Sequence, residues 1–183
     1  SPDKPAMIAL ASADLAEAPR LVSYRDLITQ MTEAANLFHR LSDGKPASVA
    51  IILPMIPEGL IAAYAQLAAR RSLPHDLIIA GGKGWLYEPI FAQVRELSLE
   101  ERVRFLGHVA DADLPALYTL ASCLAYPSFY EGFGIPVLEA MACGTPVVTS
   151  HVSSLPEVGG EAVLYVDPND TEGLAAGLDR ALG

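Results

Sequence analysis

Residues 127–144 of the chain read PSFYEGFGIPVLEAMACG, and this stretch predicts the end of a strand, a loop that carries glycines, and a short helix. Gly132 and Gly134 allow the tight backbone turns of such a loop. Pro136 suits the first helical turn, where its missing N–H group needs no partner. Gly144 suits the position just past the end of the helix. The stretch therefore predicts a strand–loop–helix unit.

Two carboxylates, Glu131 and Glu139, occur in this unit, one in the loop and one in the helix. Glu139 is the only charged residue between Gly132 and Ser150. A carboxylate in such an apolar run needs hydrogen-bonding partners, and the free N–H groups at a helix start favour anions such as phosphate. The pattern therefore predicts a site for a ligand that carries both phosphate and hydroxyl groups. The alternative is that both carboxylates are ordinary charges facing water.

The composition limits the classes of function. The chain has 183 residues, of which 51% are hydrophobic, and a formal net charge of −10. Such a negative balance argues against a nucleic-acid-binding surface. No run approaches the length of a membrane span and the first residues lack a signal-peptide pattern, so we expect a cytoplasmic protein without membrane partners. Cys123 and Cys143 lack the spacing of a disulfide framework or a metal site and are expected to be free thiols.

The first third of the chain predicts a small hairpin and a helix. Residues 6–11 form an apolar strand, on which residues 20–23 can pair back as a short β-hairpin. Ser23 suits the N-cap of a helix. Apolar residues then recur at helical spacing up to Leu41.

Strands and helices alternate regularly in the rest of the chain. The predicted strands cover residues 48–53, 76–80, 103–106, 123–126, 146–149 and 162–166. The predicted helices cover residues 57–71, 87–97, 113–121, the helix that ends at Gly144, and 171–182. Continuous apolar strands that alternate with helices predict an α/β fold, with a three-layer, doubly wound and mostly parallel sheet of the Rossmann-like type. We expect residues 1–183 to form a single domain. Ligands of such folds bind beyond the carboxyl ends of the strands.

Three segments form one long signature: LIIAGG at residues 77–82, VRFLGHV at 103–109 and EGFGIPVLEAMACGTPVV at 131–148. Together they resemble the C-terminal, donor-binding half of a family 4 retaining glycosyltransferase of the two-domain GT-B type. The resemblance covers residues 61–183. It implies a nucleotide-sugar donor, a UDP- or GDP-sugar, and no other cofactor.

The resemblance also implies roles for single residues. Glu131 would lie beside the donor sugar, and by resemblance it is the one candidate for a part in catalysis. Glu139 would hydrogen-bond to the ribose of the nucleotide. The backbone of Gly132, Phe133 and Gly134 would face the diphosphate and the sugar.

Residues 1–60 do not resemble that family. The segments PAMIAL at 5–10, SYRDL at 23–27, AANLF at 34–38 and VAIILP at 49–54 are similar to the beginning of an adenylate-forming acyl-CoA synthetase. The phosphate-binding loop and the catalytic segments of that superfamily do not occur in the chain. This resemblance therefore implies a strand–helix–strand segment without acyl-activating chemistry.

The sequence departs from the glycosyltransferase pattern at an important point. In that family the donor half begins with a strand that ends in Gly-Arg and is followed by a lysine, and these two cations clamp the diphosphate. The corresponding residues 53–58 read LPMIPE, with neither cation, and the acceptor-binding domain is expected to be missing. We therefore expect a chimeric or engineered domain without catalytic activity by itself. The alternative is a functional donor-binding half that transfers a hexose to an acceptor held by a separate domain.

A grafted segment can leave an apolar face uncovered. The sequence therefore leaves open whether the chain self-associates.

The other candidate site residues are better explained without a ligand. Lys83 and His108 are expected to be solvated loop residues. The aromatic residues Tyr126, Phe129 and Tyr130 could stack on a base or sugar, but they are expected to pack at the rim of the core. The aspartates show no metal-binding spacing.

Overall fold

The structure is a computed structural model that describes residues 5–6, 22–23, 48–52, 57–81 and 87–183. The strands are β1 (Pro5–Ala6), β2 (Val22–Ser23), β3 (Ser48–Ile52), β4 (Leu77–Ala80), β5 (Val103–Gly107), β6 (Ala121–Tyr126), β7 (Val147–Ser150) and β8 (Leu164–Val166). The helices are α1 (Pro57–Arg70), α2 (Tyr87–Glu96), α3 (Leu114–Leu120), α4 (Ile135–Ala142), α5 (Leu155–Gly159) and α6 (Thr171–Leu182). None of these helices is both long and apolar enough to span a bilayer.

Six of the strands form one parallel sheet in the order β5-β4-β3-β6-β7-β8. This arrangement confirms the predicted α/β, doubly wound parallel sheet. A separate antiparallel pair joins β1 to β2. The predicted pairing is confirmed where Ala6 faces Val22, and β1 includes Pro5, whereas residues 7–11 lie outside the described residues.

Strand residues alternate between two layers of helices. In β4, Leu77 and Ile79 pack with α1, α2 and α6, whereas Ile78 packs with α3. In β6, Cys123 joins the first layer and Leu124 packs with α3, α4 and α5. Side chains of a strand point alternately to the two faces of the sheet, so a strand buried on both faces must be apolar throughout. Burial of the strands on both faces of the sheet explains why their sequences are apolar without interruption.

The chain reverses its direction of travel across the sheet between β3 and β6. The strands β3, β4 and β5 progress toward one edge, and β6, β7 and β8 progress toward the other. The carboxyl ends of β3 and β6 are therefore neighbours. The next helix after β3, which is α1, and the next helix after β6, which is α4, pack on opposite faces of the sheet. A crevice at such a switch point is where open parallel sheets bind ligands. The loop that follows β6, residues 127–134, begins at this point.

A buried ion-pair network closes the opposite end of the sheet. Asp76, which precedes β4 and is 2% exposed, pairs with Arg102 at 3.1 Å and with Arg104 at 3.5 Å. Arg102 also donates to the backbone carbonyls of Leu73 and His75, each at 2.7 Å. Buried charges are tolerated when they are paired and hydrogen-bonded in this way. The sequence pattern had assigned Asp76 to the strand, whereas the strand begins at Leu77.

The structure also differs from the predictions in the helices. The short helix α5 was not predicted, although Ser154 at its N-cap position and Pro156 in its first turn are ordinary signals of a helix start. The predicted helix over residues 113–121 is shorter, because β6 begins at Ala121 directly after α3. Ser23, the predicted N-cap, belongs to β2. The rest of the predicted helix up to Leu41 and residues 53–56 lie outside the described residues.

Candidate functional site

The loop after β6 is held in place by hydroxyl groups on both sides. Ser128 is buried, and its Oγ donates to the carbonyl of Tyr130 at 3.1 Å. The backbone N–H of Glu131 donates to Oγ of Ser153 at 2.9 Å, and Oγ of Ser154 donates to the carbonyl of Glu131 at 3.1 Å. Both backbone polar groups of Glu131 are thus tied to the segment between β7 and α5. These contacts fix the position of Glu131 at the carboxyl end of the sheet.

Ser153 has a positive backbone φ of 46°. Positive φ is uncommon for a residue with a side chain, and such strained residues cluster at ligand sites, where the surrounding structure holds them. Neither Ser153 nor Ser154 was identified as a site residue from the sequence. The overlooked signal is the run of serines before Leu155 and Pro156, which marks a helix start.

The carboxylate of Glu131 is half-buried beside Tyr126. Its Oε1 atom is enclosed, and the carboxylate is a hydrogen-bond partner of the Tyr126 hydroxyl. Burial, followed by the interaction with the Glu131 carboxylate, raises the pKa of Tyr126 far above its ordinary value. An ionised carboxylate accepts several hydrogen bonds, so Glu131 keeps capacity for a donor from a ligand beside the Tyr126 hydroxyl.

The loop ends at Gly134, which adopts the left-handed conformation with φ 92° and ψ 39°. Its carbonyl accepts the N–H of Val137 at 3.0 Å and begins α4. No side chain caps this helix start. Pro136 has no N–H group, and those of Val137 and Leu138 donate to the carbonyl of Gly134. Within the described residues, the N–H of Ile135 is therefore the one in the first turn of α4 that is left for solvent or an anion.

Glu139 lies on α4 and reaches toward the neighbouring helix α3. Its Oε2 accepts a hydrogen bond from the hydroxyl of Tyr118 at 2.9 Å. Burial, and then the hydrogen bond to Glu139, raise the pKa of Tyr118 well above its ordinary value. Glu139 is therefore not simply a carboxylate that faces water. The sequence could not indicate this contact, because Tyr118 belongs to a different helix.

The rim of the site is apolar and exposed. Tyr130 is 72% exposed, and Phe133 and Ile135 are each 57% exposed. Phe129 and Leu138 are also exposed large apolar residues. The prediction that Phe129 and Tyr130 pack at the core rim is thus wrong, because both side chains are exposed to solvent. Only Tyr126 of this group of aromatic residues is buried.

The positively charged side chains of the described residues lie away from this loop. Arg70 and Arg71 pair with Glu172 and Asp179 between α1 and α6, and Arg102 closes the opposite end of the sheet. His108 follows β5 and is exposed, as expected from the sequence, whereas Lys83 lies outside the described residues. In the part of the chain that the structure covers, no group of three or more histidine, cysteine or acidic side chains is placed to hold a metal ion.

Comparison with known proteins identifies the chain's relatives. The sequence model described as "Glycosyl transferases group 1" matches residues 56–183. The chain is 47% identical over 124 residues to O-antigen chain mannosyltransferase B of Escherichia coli, covering 68% of this chain and 32% of that protein. It is 42% identical over 96 residues to O-antigen chain mannosyltransferase RfbU of Salmonella typhimurium, covering 52% and 27%. The chain thus spans about a third or less of these relatives.

Solved structures agree with this result. A structure of Anabaena Alr3699/HepE in complex with UDP-glucose matches with a TM-score of 0.70 at 26% identity, covering 82% of this chain and 43% of that one. A structure of the same protein with UDP matches with a TM-score of 0.71 at 25% identity, covering 85% and 45%.

The hypothesis of an acyl-CoA synthetase segment at residues 1–60, and with it the chimeric or engineered origin, receives no support from these comparisons. One alignment with the E. coli serotype-specific mannosyltransferase WbdA, at 34% identity, covers 79% of the chain and so extends upstream of residue 56. Because the match covers residues 56–183, more than half of its length, the chain belongs to the family of glycosyl transferases group 1.

Proposed function

We propose that this chain is the nucleotide-sugar-binding half of a glycosyltransferase that transfers a hexose to an acceptor held by a separate domain. The observation that carries the proposal is the pair of carboxylates, Glu131 and Glu139, on the loop and helix that follow β6 at the switch point of the sheet. Membership of the glycosyl transferase group 1 family supports it. The length of the two mannosyltransferases described above, about twice that of the chain, supports an acceptor domain elsewhere.

In this proposal the two carboxylates contact different parts of the nucleotide-sugar donor. Glu139, already held by Tyr118, accepts hydrogen bonds from the ribose hydroxyls. Glu131, whose backbone is tied to Ser153 and Ser154, offers its half-buried carboxylate to the hexose. A carboxylate is an acceptor-only group when ionised, so both positions favour ligands that present hydroxyl donors.

The diphosphate would be held by backbone groups. The uncapped start of α4 and the loop through Gly132 and Gly134 offer N–H groups near the two carboxylates. The net charge of −10 opposes an anionic ligand. We therefore expect weak binding, with a Kd on the order of 1 mM, about −4 kcal/mol. Catalysis needs the acceptor domain, so the chain alone is expected to bind the donor without transferring its sugar.

The sugar is proposed to be mannose, because the two relatives described above are named as mannosyltransferases. The neighbouring structures that hold a nucleotide contain UDP or UDP-glucose, so UDP- and GDP-linked donors both have to be tested.

The test is a titration of the chain with UDP, GDP, UDP-glucose and GDP-mannose at low salt, followed by NMR chemical shifts. We expect one of the two nucleotide series to bind. Glu139→Ala should weaken the free nucleotide and the nucleotide sugar alike. Glu131→Ala should weaken the nucleotide sugar more than the free nucleotide, since only the sugar reaches Glu131.

Glu100→Ala is the matched control, because Glu100 is an exposed glutamate between α2 and β5 at the other end of the sheet. It removes one negative charge without touching the proposed site. Flat titrations of the wild-type chain with all four ligands would overturn the proposed function. Equal changes of affinity in Glu131→Ala, Glu139→Ala and Glu100→Ala would show that only the net charge of the chain affects ligand binding.

A further inference from the structure

Tyr118 is a nearly inaccessible side chain with a direct link to the proposed site. It is 1% exposed, on α3, within the cluster formed with Leu124, Val137 and Leu155. Its hydroxyl donates to Oε2 of Glu139 on α4 at 2.9 Å. A buried hydroxyl needs a hydrogen-bond partner, and here that partner is one of the two carboxylates on which the proposed function rests.

A second contact joins Tyr118 to the segment that directly follows α4. The backbone carbonyl of Tyr118 accepts a hydrogen bond from Oγ1 of Thr145 at 2.6 Å, and Thr145, which is 5% exposed, follows α4. Tyr118 therefore fixes α4 at Glu139 through its side chain and beyond the helix end through its backbone. Rotation of α4 about its axis, which would redirect Glu139, breaks the first of these contacts.

The protonation of Tyr118 favours a donor role. Burial, and then the hydrogen bond and charge of Glu139, raise its pKa well above the ordinary value for tyrosine. The hydroxyl keeps its proton throughout the physiological range. Since this single proton points to Oε2, the carboxylate acts as the acceptor, and its remaining lone pairs are available to hydroxyl groups of a ligand.

We propose that Tyr118 is a positioning residue for nucleotide recognition, which holds the Glu139 carboxylate in the orientation that accepts hydrogen bonds from the ribose hydroxyls. This inference rests on the proposed function, in which Glu139 contacts the ribose. Tyr118 itself does not touch the ligand, because its hydroxyl is occupied by Glu139 and its ring is enclosed by the core.

The experiment compares wild type, Tyr118→Phe, Glu139→Ala and the double variant in NMR titrations with UDP, GDP and their 2′,3′-dideoxy analogues. Tyr118→Phe keeps the ring and removes only the hydroxyl. We expect it to weaken the ribonucleotide about five- to tenfold, the effect of losing one well-placed hydrogen bond. The dideoxy analogue should bind equally to wild type and Tyr118→Phe, and the double variant should match Glu139→Ala.

Tyr64→Phe is the control for general damage to the core. Tyr64 is also a fully buried tyrosine, and its hydroxyl donates to the carbonyl of His75 at 2.6 Å, at the end of the sheet opposite the site. It should lower the thermal midpoint without changing nucleotide affinity. Thermal unfolding of Tyr118→Phe establishes that the variant is folded.

Two outcomes overturn the inference while leaving the proposed function intact. One is a wild-type protein that binds a ribonucleotide with an affinity that Tyr118→Phe does not change. The other is a loss in Tyr118→Phe that persists in the Glu139→Ala background or extends equally to the dideoxy analogue, which would indicate a structural role only. A wild-type protein that binds neither ribonucleotide overturns the proposed function, and the inference with it.

Discussion

Gly134 packs directly against Leu155, so that a Cβ atom added to Gly134 would lie 2.7 Å from Cδ2 of Leu155. Leu155 is fully buried at the start of α5. The loop that carries Glu131 therefore packs against α5, the helix that follows β7. The same segment supplies the hydroxyls of Ser153 and Ser154 to Glu131. The geometry of the proposed site thus depends on two loops that lie far apart in the sequence.

Gly134→Ala is expected to destabilise the protein by about 1–3 kcal/mol, because alanine is strained at positive φ and its Cβ displaces Leu155. Chemical denaturation measures this change. Gly132→Ala is the matched control, since Gly132 lies in the same loop, has no positive φ, and has nothing within 4 Å of an added Cβ. Equal stabilities of the two variants would contradict the close packing of Gly134.

The ion pair between Arg102 and Asp76 is expected to stabilise the fold more than the surface pairs. Arg102→Met leaves the carboxylate of Asp76, which is 2% exposed, with Arg104 as its remaining cation. Breaking such a pair costs about 3 kcal/mol. Arg70→Met is the control, because the Arg70–Glu172 pair is exposed and should contribute at most about 1 kcal/mol. Urea denaturation of the two variants compares them, and similar losses would show that burial does not decide the difference.

The two free cysteines are expected to differ in reactivity. Burial raises the pKa of Cys123 to about 12, so at pH 8 only roughly one thiol in ten thousand is a thiolate. Burial also raises the pKa of Cys143, but this side chain is only half-buried. Iodoacetamide at pH 8 should therefore modify Cys143 first, and Cys123 only after unfolding in urea. Mass spectrometry of tryptic peptides measures both rates, with Cys143→Ser to isolate Cys123. Equal labelling of the folded protein would contradict the burial of Cys123.

The folded protein is expected to lose stability in alkali. Burial is the main cause that raises the pKa of Tyr64 to about 12. Below pH 10 the tyrosine is protonated in both the folded and the unfolded chain. Above pH 10 it ionises more readily in the unfolded chain, so its contribution is lost as the pH rises from about 10 to 12.

Urea denaturation between pH 8 and 11.5 tests this dependence. Each tyrosine that stays protonated in the folded state adds a loss of about 1.4 kcal/mol per pH unit above about pH 10, and none below it. Tyr64→Phe removes one such contribution, so its stability should fall less steeply than that of the wild type. Parallel curves for the two proteins would contradict the raised pKa of Tyr64.

Much of the sheet could be predicted from the sequence, because a strand covered on both faces must be apolar at every position. The runs at Leu77–Ala80 and Val147–Ser150 are fully buried strands within a residue or two of their predicted bounds. Helix α5 was not predicted, since five residues give too short a pattern for a helical period. The resemblance to glycosyltransferases correctly indicated the family, whereas the resemblance of residues 1–60 to acyl-CoA synthetases found no support.

The sequence by itself determined the parallel α/β fold and the place of Glu131 and Glu139 on one loop and one helix, because apolar periodicity, glycines and prolines act locally. Only the tertiary structure decided the partners of these carboxylates. Ser153 and Ser154 reach Glu131 from the segment after β7, and Tyr118 reaches Glu139 from α3. Such hydrogen bonds join residues more than twenty positions apart, and their geometry follows from how helices pack across the sheet. No local pattern encodes that packing.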